Sequence, residues 1–460
     1  MEIKNDLTTG PIGRTLIRLT IPMVAGFAAT ISFNLVDALF VAQLGTLPLA
    51  AMSFTFPVAM LIISVTVGIS MGAAAVISRA YGKRDTDAVK RLATTSILLG
   101  LLISAAFVVA GLSTIRLVFT ALGATPGVMP LIGRYMVIWY LGVPAIVVSM
   151  VASSAIRATG ETKIPGIIMV TGALLNVILD PIMIYGLFGF PRWELAGAAI
   201  ATVISQGLSL ALVMVFLIRR LNMIEFSGLS LAEVRRSWGE ILRIGIPSTG
   251  TNLLFPFSMA YITWLASRFG PEGVAAVGAG LRIESFAFVV IIGLSTALVP
   301  FVGQNWGALA FARVHEAQNK SNLFTFWWGL FCWAVFAIFA RPIARLFSAD
   351  EPVIRYIMYY LWIMPAGLST QGIFQLISGT FNAMGRPLVS AGLNVSRVVF
   401  FYFPLAYAGT LLLGLPGMVG GIAVTNIVTG LIAIFLFRYI CLRDELCVKD
   451  GTRVVEKTGV

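Results

Sequence analysis

The feature that most constrains this chain is a series of apolar stretches, each of 20 residues or more, that recurs along its whole length. A helix of about 20 apolar residues crosses the hydrocarbon core of a bilayer, which is roughly 30 Å thick. No water reaches the backbone there, so its polar groups must be hydrogen-bonded within the protein, as they are in a helix. A transmembrane β-barrel would show alternating segments of about 10 residues instead. We therefore expect an all-α polytopic membrane protein.

The composition excludes a water-soluble domain. Hydrophobic residues make up 58% of the 460 residues and charged residues only 11%, with a mean hydropathy of +0.94, whereas soluble domains carry about 25% charged residues. The apolar stretches predict twelve transmembrane helices joined by short loops, at about residues 15–42, 50–78, 92–118, 134–157, 164–187, 195–218, 240–267, 274–304, 321–343, 354–383, 388–412 and 419–440.

Basic residues are distributed unequally between the two ends of these spans. Of the 32 Lys and Arg residues, 23 fall on the side that holds both termini and 7 on the other, and Arg282 and Arg397 lie within spans. The positive-inside rule therefore predicts that both termini are cytoplasmic. This topology, with attraction to anionic lipid, accounts for the net charge of +12 and gives no reason to expect nucleic-acid binding.

When the chain is aligned with itself at one constant offset and without gaps, residues of the second half match residues of the first half. Pairs that share this register are Arg18 with Arg243, Pro22 with Pro247, Gly68 with Gly293, Gly160 with Gly385 and Pro191 with Pro416. The repeat predicts two six-helix bundles, an N-lobe at 1–225 and a C-lobe at 226–460. Because six is even, the bundles share one orientation, related by a pseudo-two-fold axis along the membrane normal, as in several transporters. A channel or a structural membrane protein is the alternative.

Four polar residues in the first half share one depth in the membrane. Asp37, Tyr140, Asp180 and Thr202 each lie 17 to 19 residues from the nearest cytoplasmic basic residue of their span, which corresponds to about 25–28 Å of helix. A charged side chain at such depth is costly, by about 2.5–3.5 kcal/mol for Asp, and usually has a function. The sequence therefore predicts one polar pocket in the outer half of the first bundle.

The predicted pocket suits a small cation. Asn34 precedes Asp37 by three residues and Asn176 precedes Asp180 by four, so each amide shares a helix face with its carboxylate. Two close carboxylates in a low-dielectric site can share a proton, and with Asn176 and Thr202 they also offer the oxygen ligands that bind Na+. We expect Asp37, Asp180, Asn176 and Thr202 to couple transport to H+, with Na+ as the alternative. A static hydrogen-bond network between helices is the competing interpretation.

Other residues extend the candidate site. The residues expected to line a substrate cavity are Asn34, Tyr135, Tyr140 and Gln206. Pro22 lies about four turns before Asp37 and is the predicted hinge, because proline removes a backbone hydrogen bond and permits a bend. In the second half, Arg282 and Glu284 are secondary candidates with a vestibule or structural role; being two residues apart, they point to different faces.

Motifs for enzymatic chemistry are absent from the sequence. Gly68-Ile-Ser-Met-Gly72 matches the G-x-S-x-G pattern, but it lies within a span, and the only histidine, His315, is in a cytoplasmic loop. We interpret these glycines as sites of close helix packing. The chain has neither a zinc-protease motif nor a phosphate-binding loop. We therefore expect no enzyme activity and no cofactor, and energy from an ion gradient or a separate subunit.

Specific motifs accompany this architecture: TIP at the start of span 1, NLVDALFVAQLG at its end, the pair RAYG and QNWG, RATGETKIP before span 5 and NVILDP within it. In this combination the chain resembles the multidrug and toxic compound extrusion (MATE) family, and within it the DinF-like branch. Asp37, Asn176 and Asp180 match residues that this branch associates with cation coupling. Another branch has carboxylates in spans 7 and 10, and this sequence has none there beyond Glu240 at the edge of span 7.

The resemblance implies export of amphipathic, often cationic compounds in exchange for H+ or Na+, by alternating access, from a multi-pass protein of a bacterial or archaeal inner membrane. Its expected partners are lipophilic drugs and the lipid bilayer, and we expect a monomer. A flippase for lipid-linked precursors or polysaccharides is the alternative within the same superfamily, although twelve spans and paired acids argue against it.

Overall fold

The computed structural model describes residues 6–225 and 230–449, and the part that it describes is built from helices. The first six helices correspond to the first six predicted spans. They are α1 (Ile12–Ala42), α2 (Thr46–Gly82), α3 (Thr86–Ala121), α4 (Met129–Ala158), α5 (Lys163–Tyr185) and α6 (Leu195–Val215), which continues as a π-helical turn at Phe216–Arg220.

The second half has eight helices for six spans. They are α7 (Leu231–Ser267), α8 (Gly270–Gly307), α9 (Phe311–Ile338), α10 (Ala340–Phe347), α11 (Glu351–Ile363), α12 (Leu368–Ala383), α13 (Pro387–Ser396) and α14 (Phe403–Lys449). The 3-10 turn Met364–Gly367 joins α11 to α12 within span 10, and the π-helical turn Arg397–Tyr402 joins α13 to α14 within span 11. At Gly414 the φ of +65° separates span 11 from span 12 inside α14.

The prediction of an all-α protein with twelve spans is confirmed. In the described part of the chain, nine helices are individually long and apolar enough to cross a membrane, and one of them, Pro387–Cys441, holds spans 11 and 12. Spans 7 and 10 complete the twelve. Span 10 is divided into two shorter helices because Pro365 cannot donate a backbone hydrogen bond.

The chain forms two compact units. Among the described residues, the first takes in Asp6 and Arg18–Leu253, and the second takes in Leu7–Ile17 and the chain from Leu254 to Lys449. Helices α1 and α7 therefore each contribute residues to both units. The lobe boundary expected at 225/226 adjoins 226–229, which lie outside the described residues, and it stays a prediction.

Contacts within each unit bring segments predicted to be cytoplasmic to the same end. In the first unit, Lys90 Nζ lies 2.9 Å from Glu225 Oε2, joining the start of α3 to the segment after α6. In the second unit, Arg313 Nη2 donates a hydrogen bond of 3.1 Å to the carbonyl of Gly10, joining the start of α9 to the amino-terminal segment. The orientation derived from the basic residues stays a prediction.

The connection between α5 and α6 aligns the two helices that carry the candidate site. The backbone N–H groups of Trp193 and Glu194 donate to the carbonyls of Met183 and Ile184, each at 3.1 Å. Gly197 at the start of α6 lies against the Met183 backbone, where a Cβ atom would clash. Asn176 and Thr202, farther along the same helices, are thereby brought face to face.

Glycines 68 and 72 are packing sites, as the sequence predicted. A Cβ atom on Gly68 would lie 2.7 Å from the Gly245 carbonyl oxygen, and one on Gly72 would meet the Ile241 carbonyl oxygen and lie 3.1 Å from the Gly245 nitrogen. Both obstacles are backbone atoms of α7, which cannot rotate away. These glycines therefore allow α2 and α7 to pack closely within the first unit.

We expect Gly72→Ala to destabilise the protein by about 1–3 kcal/mol, because the added methyl group forces α2 and α7 apart. The matched control is Gly207→Ala in α6, where a Cβ atom would have no neighbour within 4 Å. Thermal melts of the detergent-purified variants measure the difference. Equal melting temperatures for the two variants would contradict this packing.

Candidate functional site

Two carboxylates lie buried within spans of the first unit. Asp37, in α1, is 7% exposed, and Asp180, in α5, is fully buried. The charge of Asp37 acts electrostatically on Asp180, and both charges act on the Tyr135 hydroxyl. The structure therefore brings together side chains from α1, α4 and α5 that are distant from one another in the sequence.

The Asn176 amide links Asp180 to α6. One orientation of the Asn176 amide satisfies both its nitrogen and its oxygen. In this orientation the nitrogen faces the carboxylate, and Asn176 Nδ2 donates to Asp180 Oδ2 at 3.0 Å. Its oxygen then accepts from the backbone N–H of Thr202 at 3.3 Å. In the opposite orientation, Nδ2 donates to Thr202 Oγ1 at 3.4 Å. Asn176 thus holds one carboxylate oxygen in place.

Each carboxylate also has an oxygen atom without a hydrogen-bond partner in the described part of the chain. Asp37 Oδ1 and Asp180 Oδ1 are buried and have no hydrogen-bond partner among the described residues. An unpaired buried acceptor typically costs about 1–3 kcal/mol. Binding a proton or a small cation would offset that cost for both carboxylates.

The donor set favours a light, hard cation. Among the side chains that the structure describes, within 6–225 and 230–441, no group of three His, Cys, Asp or Glu is arranged to hold a metal ion. As ligands for a cation, Asp37, Asn176, Asp180 and Thr202 offer oxygen atoms, which would suit H+ or Na+ and not a soft transition metal. The Asn176 oxygen also accepts from the Thr202 N–H.

The predicted cavity residues occupy different surroundings. Tyr135 is buried beside the carboxylates, whereas the Tyr140 ring packs against Gly111 of α3, on another face of α4. Gln206 is half-buried one turn after Thr202, and Asn34 is exposed. Of these four residues, the structure brings Tyr135 to the carboxylate pair.

Pro22 lies inside α1, which is helical throughout Ile12–Ala42. Its carbonyl group is covered by Gly166 of α5, where a Cβ atom would lie 2.5 Å from the Pro22 oxygen. The segment around the proline is therefore closely packed against α5, the helix that carries Asp180.

In the second unit the two secondary candidates, Arg282 and Glu284, have different surroundings. Arg282 is exposed, while Glu284 is 7% exposed and accepts a hydrogen bond of 2.6 Å from Tyr360 Oη. Sequence reasoning missed the residues around Glu284. Arg397 was visible as a cation within a span, but nothing in the spacing predicted that it would lie near a carboxylate three spans earlier in the chain.

Comparisons with known proteins agree with this architecture. The MatE family model matches residues 22–182 and 247–408, and the two matches begin at Pro22 and Pro247, which are partners in the sequence repeat. The chain is 34% identical to a protein of Shewanella oneidensis named FAD transporter, covering 96% of this chain and 98% of that one. It is 23% identical to multidrug export protein MepA of Staphylococcus aureus, with 97% of each chain covered.

A solved structure has the same fold. The crystal structure of the Vibrio cholerae MATE transporter VcmN in the bent form has a TM-score of 0.90 to this chain. The two sequences are 31% identical, and the comparison covers 95% of this chain and 98% of that one.

Proposed function

Because this chain belongs to the MATE family of multi-pass membrane transporters, we propose that it is an antiporter that exports amphipathic, often cationic compounds in exchange for protons. Members of this family are transporters and not enzymes. The observation that carries the proposal is the buried pair Asp37 and Asp180, each with an oxygen that has no partner among the described residues.

A proton and a cationic substrate compete for the carboxylate charge, and this competition couples the movement of one to the movement of the other. When the pair is deprotonated, its negative charge attracts a cationic substrate from the cytoplasmic side. Protonation from outside removes that charge and releases the substrate, and the protonated site then returns inward. A ligand shifts a conformational equilibrium only by its difference in affinity for the two states, and here the charge of the pair provides that difference. The four oxygen-bearing residues also keep Na+ as the alternative ion.

Pro22 is the proposed hinge of this cycle. An interior proline costs a helix about 3 kcal/mol, so Pro22→Ala should favour an unbent α1 by up to about 100-fold. We expect this variant to bind substrate with unchanged affinity and to transport it more slowly. Substrate titrations and initial transport rates of the purified variant measure the two effects, and a wild-type rate would contradict the hinge.

A second candidate substrate is FAD. Its support is the 34% identity, over nearly the full length, to the Shewanella protein named FAD transporter. FAD is amphipathic like the expected drugs, but it is an anion, so the carboxylate pair by itself does not account for its recognition.

The orientation and assembly state are part of the proposal. We infer from the 23-to-7 distribution of basic residues that both termini are cytoplasmic. We also propose a monomer in a bacterial or archaeal inner membrane. Protease digestion of sealed vesicles tests the orientation, because the amino-terminal segment should be cleaved only in inside-out vesicles. Light scattering of the purified protein tests the monomer.

Transport into proteoliposomes tests the function. A fluorescent lipophilic cation is followed in sodium-free buffer with an imposed pH gradient, and then with a sodium gradient at equal pH. We expect concentrative uptake in the first condition that stops when an ionophore collapses the pH gradient. Uptake only with sodium would assign the site to Na+. If neither gradient drives the cation, the proposed substrate class is wrong and the flippase alternative gains support.

A further inference from the structure

A guanidinium group lies within the predicted span 11 of the second unit. Arg397 opens the π-helical turn Arg397–Tyr402 and follows the cytoplasmic Arg386 by about three helical turns, or about 16 Å along the helix. That is about half the thickness of the hydrocarbon core. Arginine at this depth is costly and usually faces a cavity or a partner, and π-helical turns inside helices often mark functional sites.

Neighbouring side chains fix the position of this guanidinium. Arg397 Nη2 donates to Asn426 Oδ1 at 2.7 Å, and Asn426 Nδ2 donates to Gln371 Oε1 at 2.9 Å. The guanidinium carbon lies 5.0 Å from the centre of the Phe374 ring. One edge and one face of the group are therefore held, while its other N–H groups have no hydrogen-bond acceptor among the described residues.

The nearest carboxylate does not neutralise Arg397 by direct contact. Glu284 interacts electrostatically with Arg397, but within the described residues no ion pair of 4.0 Å or less joins them. Glu284 Oε2 instead accepts from Tyr360 Oη at 2.6 Å. Because Arg397 is half-buried and not sealed, its free N–H groups are available to a ligand.

We propose that Arg397 binds the anionic group, a phosphate or a carboxylate, of an amphipathic aromatic substrate. A planar guanidinium donates two parallel hydrogen bonds to such a group and remains charged at any physiological pH. Asn426 orients the guanidinium, and the Glu284 charge limits its affinity for anions. The proposal rests on the proposed function in one respect, that the chain transports amphipathic organic compounds.

Flavins provide a matched set of probes. Riboflavin and FMN share the fluorescent aromatic ring system and differ by one phosphate, and FAD carries two phosphates. The purified full-length protein is placed in nanodiscs of phosphatidylcholine alone, and the flavin affinities are measured from flavin fluorescence. We expect FMN and FAD to bind about tenfold or more tightly than riboflavin, as hydrogen bonds between charged groups allow.

Four variants test the role of each charge. Arg397→Gln should lower FMN affinity about tenfold or more and leave riboflavin affinity unchanged, while Arg397→Lys retains part of the preference because it retains the charge. Glu284→Gln should increase FMN affinity, since it removes a nearby negative charge. The matched control, Arg282→Gln, removes an exposed arginine two residues from Glu284 and should change neither affinity.

Several results would overturn the proposal. The first is equal affinity of the wild type for FMN and riboflavin. The second is an equal decrease in the affinities for FMN and riboflavin in Arg397→Gln. The third is a change in FMN affinity in Arg282→Gln as large as that in Arg397→Gln. Addition of phosphatidylglycerol to the nanodiscs separates a lipid headgroup from a solute, because displacement of FMN by this lipid would make the lipid the occupant. A protein that transports the lipophilic cation but shows no FMN preference retains the proposed function and loses this inference alone.

Discussion

Replacing Asp37 by Asn is expected to abolish proton-coupled transport while the protein remains folded. Asn has nearly the shape of Asp, so the packing around this side chain, 7% exposed, is kept. The substitution removes the charge that we propose to alternate between proton and substrate. In the wild type, a coupling free energy of about 1–3 kcal/mol makes substrate affinity about 5- to 150-fold higher for the deprotonated site, and in Asp37→Asn this ratio should approach one.

Titration of the fluorescent cation at alkaline and at acidic pH measures this ratio. The matched control is Glu194→Gln, which removes an exposed carboxylate in the same unit whose partner is Arg192 at 3.5 Å, and which should keep the wild-type ratio. If Asp37→Asn lowered only thermal stability and kept the ratio, the static hydrogen-bond network would be the correct interpretation of the pocket.

Replacing Asp180 by Asn should also reduce coupled transport, by about tenfold or more. The substituted amide can still present an oxygen to Asn176 Nδ2, which lies 3.0 Å from Asp180 Oδ2. The hydrogen bond to Asn176 is therefore retained, so this variant removes the charge of residue 180 without changing how its side chain is held. Asn176→Leu provides the complementary variant, because it keeps both carboxylates and removes the amide that holds one of them.

The double variant Asp37→Asn with Asp180→Asn shows whether the carboxylates act as one site. Residues in electrostatic contact show interaction energies of about 0.5–3 kcal/mol, whereas independent sites are additive. Because the two charges interact, we expect the double variant to bind the fluorescent cation at alkaline pH no more weakly than Asp37→Asn alone, as titrations of the single and double variants measure. Losses that multiply would mean that the carboxylates bind protons at separate sites.

Much of the fold could be predicted because one physical constraint dominates it. Apolar stretches in a bilayer must be helical, and this alone gave the twelve spans. The interruptions in the second half were harder to predict. Pro365 is a visible signal for the break in span 10, and Pro404 follows the π-helical turn Arg397–Tyr402 by two residues. A proline alone does not show whether a helix breaks or forms a π-helical turn.

Two parts of the arrangement of polar residues in the first unit could be predicted without the fold. Asn176 and Asp180 are four residues apart, so helical geometry alone brings them together, and helix length alone places Asp37 and Asp180 at one depth. Depth does not fix the direction in which a side chain points, which is why Tyr140 shares their level but packs against Gly111.

The cluster in the second unit could not be predicted in this way. Glu284 meets Tyr360 across 76 residues of sequence, and Arg397 meets Asn426 and Phe374 across the packing of separate helices. Such contacts depend on how each helix is rotated about its axis. A single sequence shows that Arg397 is a charge within a span but does not show which groups surround it.

Proton movement driven by substrate is the most direct test of the central claim that Asp37 and Asp180 exchange protons for substrate. Proteoliposomes with a pH-sensitive dye inside, in sodium-free buffer without an initial pH gradient, receive an outward or inward gradient of the lipophilic cation. The wild type should move protons opposite to the substrate in each case, and Asp37→Asn should move none. Substrate flux through the wild type with no accompanying proton movement, or proton movement that persists in Asp37→Asn, would contradict the account.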